Sequence, residues 1–100
     1  MQDSWLFDQP RNCAAVCLRS IAEGRAPVLL VAHNDDDHSW QFLDGEPVRM
    51  DSVVLVSMAS VIDADPTLHQ LADLPAGWEA SRTSVGAPWQ RSRSPVGPEA

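Results

Sequence analysis

Lysine and tyrosine are absent from the sequence, and it contains no long apolar run. All seven basic residues are arginine, against fourteen acidic residues, which gives a net charge of -7. A surface of this sign repels phosphate backbones and anionic lipids, so we expect binding to neither nucleic acids nor membranes. The apolar run at 27–32 is strand-sized and far shorter than the ~20 residues of a membrane-spanning helix.

A secretory signal is also missing from the sequence. The opening MQDSWLFDQPRN lacks the basic and then apolar segments of such a signal. We therefore expect a cytoplasmic (cytosolic) protein whose cysteines, Cys13 and Cys17, are reduced. Because their spacing gives poor disulfide geometry in a strand or a helix, we interpret both as small buried hydrophobic residues.

The length of the chain limits the number of domains. With 100 residues, 44% of them hydrophobic, it can form one modest core but not two. We predict an irregular lead-in at 1–12 and a single domain at 13–90. The segment 91–100 is rich in Ser, Pro and Gly, with Val96 as its one large apolar residue. Little apolar surface would offset its ordering entropy, so we predict a disordered tail.

The first half of the domain predicts two strands joined by an acidic turn. The segment 27–33, PVLLVAH, is apolar and β-branched, as in a buried strand. The turn residues NDDDHS follow it, and WQFL at 40–43 then alternates aromatic with other side chains. The dipeptide Asp-Gly at 44–45 is a hairpin signal. Upstream, CAAVCL at 13–18 fits either a strand or the first turns of a helix, and a short helix is expected near 20–23.

The second half predicts a further strand, helical segments and a last strand. The segment 51–62 is ambiguous, because residues 53–56 favour a strand whereas Val54, Met58, Val61 and Ile62 fit one helical face. We predict a strand to about Ser57, followed by a helical turn. Asp65 can cap a helix that begins at Pro66 and ends at Pro75, and a strand starts at Trp78. The elements together predict an α+β fold, with a small, mainly antiparallel sheet of about four or five strands and one or two short helices packed on it.

Two cysteines and two histidines have a spacing close to that of a zinc finger. Cys13, Cys17, His33 and His38 form the pattern C-x3-C-x15-H-x4-H. However, CAAVC contains no turn residue, and the histidines flank an acidic loop, whereas those of a finger lie on one helix. A metal-binding (zinc) or small-ligand domain that uses these four residues is therefore our alternative interpretation.

The acidic loop also resembles part of a calcium-binding loop. If Asp35 is position one, Asp37, Ser39 and Glu46 take ligand positions of an EF-hand. Position six, which requires glycine for a sharp turn, is Trp40, and the flanking segments predict strands. The pattern therefore does not indicate a calcium site.

Catalytic motifs are missing as well. The chain has no nucleophile elbow, no glycine-rich phosphate loop and no HExxH helix. We therefore expect a protein that is not an enzyme and needs no cofactor. A small hydrolase that uses the acidic loop with a divalent cation is a third hypothesis, and no residue identifies a substrate for it.

Three stretches of the sequence resemble a known group of proteins. WQFLDGE, DADPTL and LPAGWEASR, with a later tryptophan, are similar to a family of small bacterial domains of unknown function grouped with the immunity proteins of polymorphic toxin systems. The matched positions are Trp40, Phe42, Gly45, Asp65, Pro66, Leu68, Leu74, Pro75, Gly77, Trp78, Arg82 and Trp89. The resemblance implies a compact α+β fold and, for some members, a role as an antidote that binds and blocks a toxin. It supplies no catalytic residues.

These observations lead to one preferred hypothesis, a non-enzymatic protein-binding domain with an immunity-like function. Its partner would be a protein, such as a toxin domain with a basic surface. The acidic residues Asp35, Asp36 and Asp37 would meet that surface and raise the association rate. Trp40 and Trp89 are the candidate aromatic anchors, because tryptophan is enriched at binding hot spots.

Overall fold

A computed structural model of the chain describes residues 5–36, 38–47 and 49–94. The strands are β1 Ala14–Leu18, β2 Leu30–His33, β3 Trp40–Leu43, β4 Val53–Ser57, β5 Trp78–Ser81 and β6 Gln90–Arg93. The helical segments are α1 Arg19–Ala22, α2 Met58–Ile62 and two 3₁₀ helices, Met50–Ser52 and Pro66–Leu71. None of the helices in the described ranges has the length and apolar character required to cross a bilayer.

The strands form one six-stranded sheet in the order β4-β1-β3-β2-β5-β6. Among the strand pairs of the described residues, only β1 and β3 are parallel, and the other four pairs are antiparallel. The predicted α+β class with a mainly antiparallel sheet is therefore confirmed, with six strands where four or five were expected. The apolar segment that fitted either a strand or a helix forms β1, next to the centre of the sheet.

The hydrophobic core lies on one face of this sheet. The register places Cys17 beside Phe42, Phe42 beside Val31, and Val31 beside Ala80, and all four residues are fully buried. Side chains two residues apart in a strand share a face, so this row fixes which face is inward. The helical segments pack on it through a second set of buried side chains, namely Met58, Val61, Ile62, Leu68 and Leu71.

The predicted helix at Asp65 is shorter and tighter than expected. The Asp65 carboxylate accepts a hydrogen bond from the Thr67 amide at 3.2 Å, and Pro66 follows at the first helical position, as predicted. The segment is a 3₁₀ helix that ends at Leu71, however, well before Pro75. In 3₁₀ geometry residues three apart align on one side, which brings Leu68 and Leu71 together in the core.

The hairpin predicted at residues 44–45 is wrong. Gly45 does have the left-handed φ of a turn, 85°. However, β3 pairs with β1 on one side and β2 on the other, so no side is left for the strand that follows. The chain instead crosses to the far side of β1 and forms β4 at the edge of the sheet. The Asp-Gly dipeptide indicates that the chain turns at this point, but it does not indicate which strands will pair.

The boundary predicted for a disordered tail is also wrong. Residues 90–93 form β6, which pairs with β5 from Trp78↔Arg93 to Ser81↔Gln90. All four β6 residues are exposed, so backbone pairing and not apolar burial holds this strand. The prediction relied on composition alone and therefore missed it. The rest of the predicted tail, 95–100, lies outside the described residues.

The lead-in contains neither helix nor strand from residue 5 to residue 12, but it contributes to the core. Phe7 is buried and meets the edge of the Trp40 ring at a centroid distance of 5.1 Å. The indole N–H of Trp5 donates to the Gln9 carbonyl at 2.7 Å. By contrast Leu6 is 63% exposed. The lead-in thus covers one end of the sheet through two of its aromatic rings.

Candidate functional site

The β2–β3 loop carries the acidic cluster. Its base is closed by Asn34 and Ser39, since the Asn34 amide donates to the Ser39 carbonyl at 2.8 Å and the Asn34 side chain donates to the Ser39 hydroxyl at 2.9 Å. His38 has a φ of 60°, a conformation that is uncommon outside glycine. Asp35 and Asp36 are exposed between these fixed points. Asp37, which belongs to the same predicted set, lies outside the described residues.

The acidic loop packs against the turn that precedes β5. A Cβ atom added to Gly77 would lie 3.6 Å from the Cβ of Asp35. Gly77 has a φ of 87°, and its amide donates to the His33 carbonyl at 2.7 Å. The two neighbouring turns therefore pack against each other at this end of the sheet. This packing fixes the position of the backbone that carries the Asp35 carboxylate.

Ion pairs neutralise most arginines elsewhere in the protein. Five of the seven arginines contact a carboxylate: Arg11 with Asp63, Arg25 with Glu23, Arg49 with Asp51, Arg82 with Asp65, and Arg91 with Asp73. In the described part of the chain, neither Asp35 nor Asp36 has such a partner. The neighbouring Arg91 lowers the pKa of Asp73 through a hydrogen bond and charge attraction. The excess negative charge therefore includes the carboxylates of the acidic loop.

His33 is held inside the fold. Its Nδ1 lies 2.8 Å from the Leu74 carbonyl, which assigns the proton to Nδ1 because a carbonyl can only accept. The ring stacks on Trp40 with a centroid distance of 4.0 Å, and the His38 ring lies at 6.3 Å. The Nε2 atom of His33 is buried and has no hydrogen-bond partner among the described residues. This histidine is a packed side chain at the end of β2.

The structure does not bring the four predicted zinc ligands together. Cys17 is fully buried, and this burial raises the pKa of its thiol to about 11, whereas zinc binds the thiolate. Cys13 is partly buried, and its thiol faces the Ala14 carbonyl at 3.7 Å. Within the described ranges, no three His, Cys, Asp or Glu side chains are placed to hold a metal ion. The zinc hypothesis therefore has no geometric support.

The two candidate aromatic anchors are less accessible than expected. Trp40 is 1% exposed, and its indole N–H donates to the Gln9 side chain at 2.9 Å. A partner could reach this ring only if the domain opened, so Trp40 is a core residue and not an anchor. Trp89 is partly buried, and the guanidinium of Arg82 lies 4.3 Å above its ring centre. One face of the Trp89 ring is thus already occupied.

Arg82 is the centre of a polar network that the sequence did not predict. Its side chain is 1% exposed and donates to the Val28 carbonyl at 3.1 Å, to the Thr67 hydroxyl at 3.0 Å and to the Asp65 carboxylate at 2.7 Å. Buried charges need this degree of pairing. Because Trp89 covers the same guanidinium, the network joins the 3₁₀ helix, the segment before β2 and the segment after β5.

Two further surface features were not predicted. A mainly apolar groove of about 520 Å³ is lined by residues that include Ile21, Pro27, Val28, Val56, Val61 and Val85. In addition, Leu55 is 73% exposed at the centre of the edge strand β4. The sequence predicts a strand here, and no local signal in it shows that this strand lies at an edge.

The chain matches no protein-family model, no curated protein and no solved structure. The resemblance to the immunity-protein group therefore remains a prediction that rests on its matched residues. In the structure, several of these residues take part in one arrangement, because Asp65, Arg82 and Trp89 meet in the buried network.

Proposed function

We propose that this chain is a non-enzymatic protein-binding domain whose acidic loop docks a basic surface on a protein partner, as in immunity-like neutralisation of a toxin. The observation that supports the proposal best is the position of unpaired charge. Asp35 and Asp36 are exposed on a loop with a closed base, while five arginines are paired elsewhere.

The physical basis is electrostatic steering. Carboxylates without a local cation attract a basic surface over about 8–10 Å at physiological salt, which raises the rate of encounter. The closed base limits the conformations that the loop must give up on binding, and this lowers the entropic cost of docking. Trp89 could contribute contact area with the part of its ring that Arg82 leaves uncovered, but Trp40 is not part of the proposed surface.

The partner test uses the protein encoded by the gene next to this one, if that protein has a basic domain. We expect the purified chain to form a stoichiometric complex with it and to abolish its toxicity when the two are co-expressed. Reversal of the three loop aspartates (D35K, D36K and D37K) should weaken protection without unfolding the domain, as checked by circular dichroism. Full protection by the folded reversed variant would exclude the acidic loop from the interface.

Protein binding is preferred to the zinc alternative because of Cys17. A zinc site built on this residue would have to ionise a thiol that burial keeps neutral, and would have to draw β1 towards β2 across the intervening β3. Elemental analysis of protein purified without an affinity tag tests this choice. Stoichiometric zinc in that preparation would contradict the preference.

A further inference from the structure

The strand β4, Val53–Ser57, lies at one end of the sheet, and among the residues that the structure describes it pairs with β1 on one side only. Its sequence VVLVS has no charged residue and no proline. Natural proteins usually protect an edge strand with lysine, proline, a bulge or an inward-pointing charge, because the unpaired backbone groups can pair with another chain. β4 contains neither lysine nor proline, and its five residues pair with β1 without interruption, so the strand has no bulge.

The register between β4 and β1 determines which backbone groups of β4 point towards β1 and which point towards the free edge. The Met58 amide donates to the Cys13 carbonyl at 2.8 Å, and this pair continues the β1–β4 register by one position. In an antiparallel ladder, hydrogen-bonded pairs alternate with non-hydrogen-bonded pairs. The backbone groups of Val54 and Val56 therefore point towards β1, as those of Met58 do.

The alternate residues of β4 point their backbone groups the other way. The amides and carbonyls of Val53, Leu55 and Ser57 face the free edge by the same alternation. The Ser57 carbonyl is already engaged, because it accepts a bond from the Ser60 hydroxyl at 2.7 Å and, at the N-cap of α2, the first bond of that helix. The carbonyls left for another donor are those of Val53 and Leu55. The three outward-facing residues are arranged symmetrically about Leu55.

The side chain of Leu55 lies on the sheet face away from the helices. Its neighbours Val54 and Val56 pack against the core, and successive side chains in a strand alternate between faces. Leu55 is 73% exposed, which makes it the most exposed large hydrophobic residue in the described part of the chain. A strand added to this edge would cover part of it.

We propose that β4 pairs in an antiparallel manner with β4 of a second copy of the chain, with Leu55 on the two-fold axis. In this register Leu55 faces Leu55 of the second copy, and Val53 faces Ser57. The two Leu55 amides then meet the two Leu55 carbonyls, and each Ser57 amide meets the Val53 carbonyl of the other copy, so the edge is complementary to itself through four hydrogen bonds. The result is a continuous sheet across the two copies.

The proposed register limits the charge repulsion between two copies. The chain carries a net charge of -7, so two copies repel each other over most orientations. The proposed register keeps acidic side chains apart, because it places Asp51 opposite Ala59 of the second copy, and Arg49 already contacts the Asp51 carboxylate at 3.4 Å. A five-residue contact is at the low end of interface sizes, so we expect a weak, concentration-dependent dimer.

Cysteine cross-linking tests the register directly. In a hydrogen-bonded antiparallel pair the Cα atoms are about 5.5 Å apart, which lies within disulfide range, so L55C should form an intermolecular disulfide on oxidation. V53C is the matched control, because the two copies of position 53 would be about 13 Å apart. Both variants carry C13S, which removes the partly exposed native thiol. Dimer on a non-reducing gel for L55C alone supports the proposal, and equal cross-linking of both variants contradicts it.

Sedimentation equilibrium tests the affinity without any cross-link. L55P removes the outward amide but leaves the β1 ladder intact, and the loss of both central hydrogen bonds should weaken the dimer by about tenfold. L55E and L55R should each be monomeric alone and should associate when mixed, because opposite charges would then meet on the axis. The proposal is overturned if the wild type stays monomeric up to millimolar concentration, or if the folded L55P variant dimerises like the wild type. If β4 pairs with a strand of a different protein and not with a second copy, the purified wild type would stay monomeric.

Discussion

Replacement of Arg82 by methionine should destabilise the fold more than any other change of a single charge. Methionine keeps much of the packing of the arginine stem but removes the guanidinium, which is bonded to the Asp65 carboxylate at 2.7 Å, the Thr67 hydroxyl and the Val28 carbonyl. The change leaves a carboxylate without its cation and a carbonyl without its donor. It also removes the cation above the Trp89 ring.

The size of the effect follows from the burial of the two partners. Removal of one partner of a fully buried pair costs about 3–5 kcal/mol. The Arg82 side chain is 1% exposed but that of Asp65 is 21% exposed and can be partly hydrated, so we expect about 3 kcal/mol, the lower end of this range. That is a large share of the total stability of a small domain, which is about 5–15 kcal/mol. The midpoint of thermal unfolding should fall by about 12–24 °C.

Urea unfolding followed by far-ultraviolet circular dichroism is the suitable assay, since the fluorescence of Trp89 would itself respond to loss of the guanidinium. R93M is the matched control, because it also removes one arginine, and Arg93 is exposed with its guanidinium 6.0 Å from the Trp78 ring centre. We expect R93M to cost less than about 0.5 kcal/mol. If R82M costs no more than R93M, the network does not contribute to stability as we have argued.

Four other outcomes are expected. G77A should cost about 1–2 kcal/mol in urea unfolding, because alanine at a φ of 87° is strained; an unchanged midpoint would show that the turn relaxes. In the native state a thiol reagent at pH 8 should label Cys13 well before Cys17, whose burial raises its pKa to about 11, and equal rates would contradict this. The Cys17 thiol has a pKa of about 11 in the folded state and about 8.5 in the unfolded state. Its contribution to the free energy of unfolding should therefore be fully present below about pH 8.5 and should be lost as the pH rises towards 11. Chelators should leave the thermal midpoint unchanged, because Cys17 is fully buried and the Nδ1 atom of His33 is bonded to the Leu74 carbonyl, and a chelator-induced drop would revive the zinc hypothesis.

The sequence predicts local structure well where the pattern is strong. The alternating WQFL and its flanking turn residues predict β3 with the bounds that the structure has, Trp40–Leu43. The change from strand to helix after Ser57 is also confirmed, because the Ser57 side chain accepts a hydrogen bond from the Ser60 amide and caps α2. In both cases residues close in the chain determine the outcome.

Features that depend on distant residues could not be predicted in this way. The partners of Arg82 lie up to 54 positions away in the chain, at Val28, so no spacing pattern reveals the network. The strand β6 has four exposed residues, Gln, Arg, Ser and Arg, and exists because β5 offers it a backbone partner. For the same reason, the apolar run of β4 does not indicate that this strand lies at an edge, where Leu55 is exposed.

The candidate site was predicted in part. The acidic loop between β2 and β3 lies where the turn residues placed it, with Asp35 and Asp36 exposed. Trp40 was chosen as an anchor because of its residue type, but its position in a strand facing the core decides its burial. The sequence could indicate the aromatic residues, whereas only the packing shows which of them reach the surface.

The association rate constant with the basic partner is the most direct test of the proposed function. We compare D35N/D36N with D44N/E46Q, which removes the same charge at the opposite end of β3 and keeps a side-chain oxygen where Asp44 accepts the Glu46 amide at 3.0 Å. At low salt we predict that D35N/D36N lowers the association rate constant by about 3–10-fold, and that the difference shrinks as salt increases. The control variant should change this rate by less than about twofold. Equal rates for the two variants at low salt would contradict the claim that the acidic loop meets the partner.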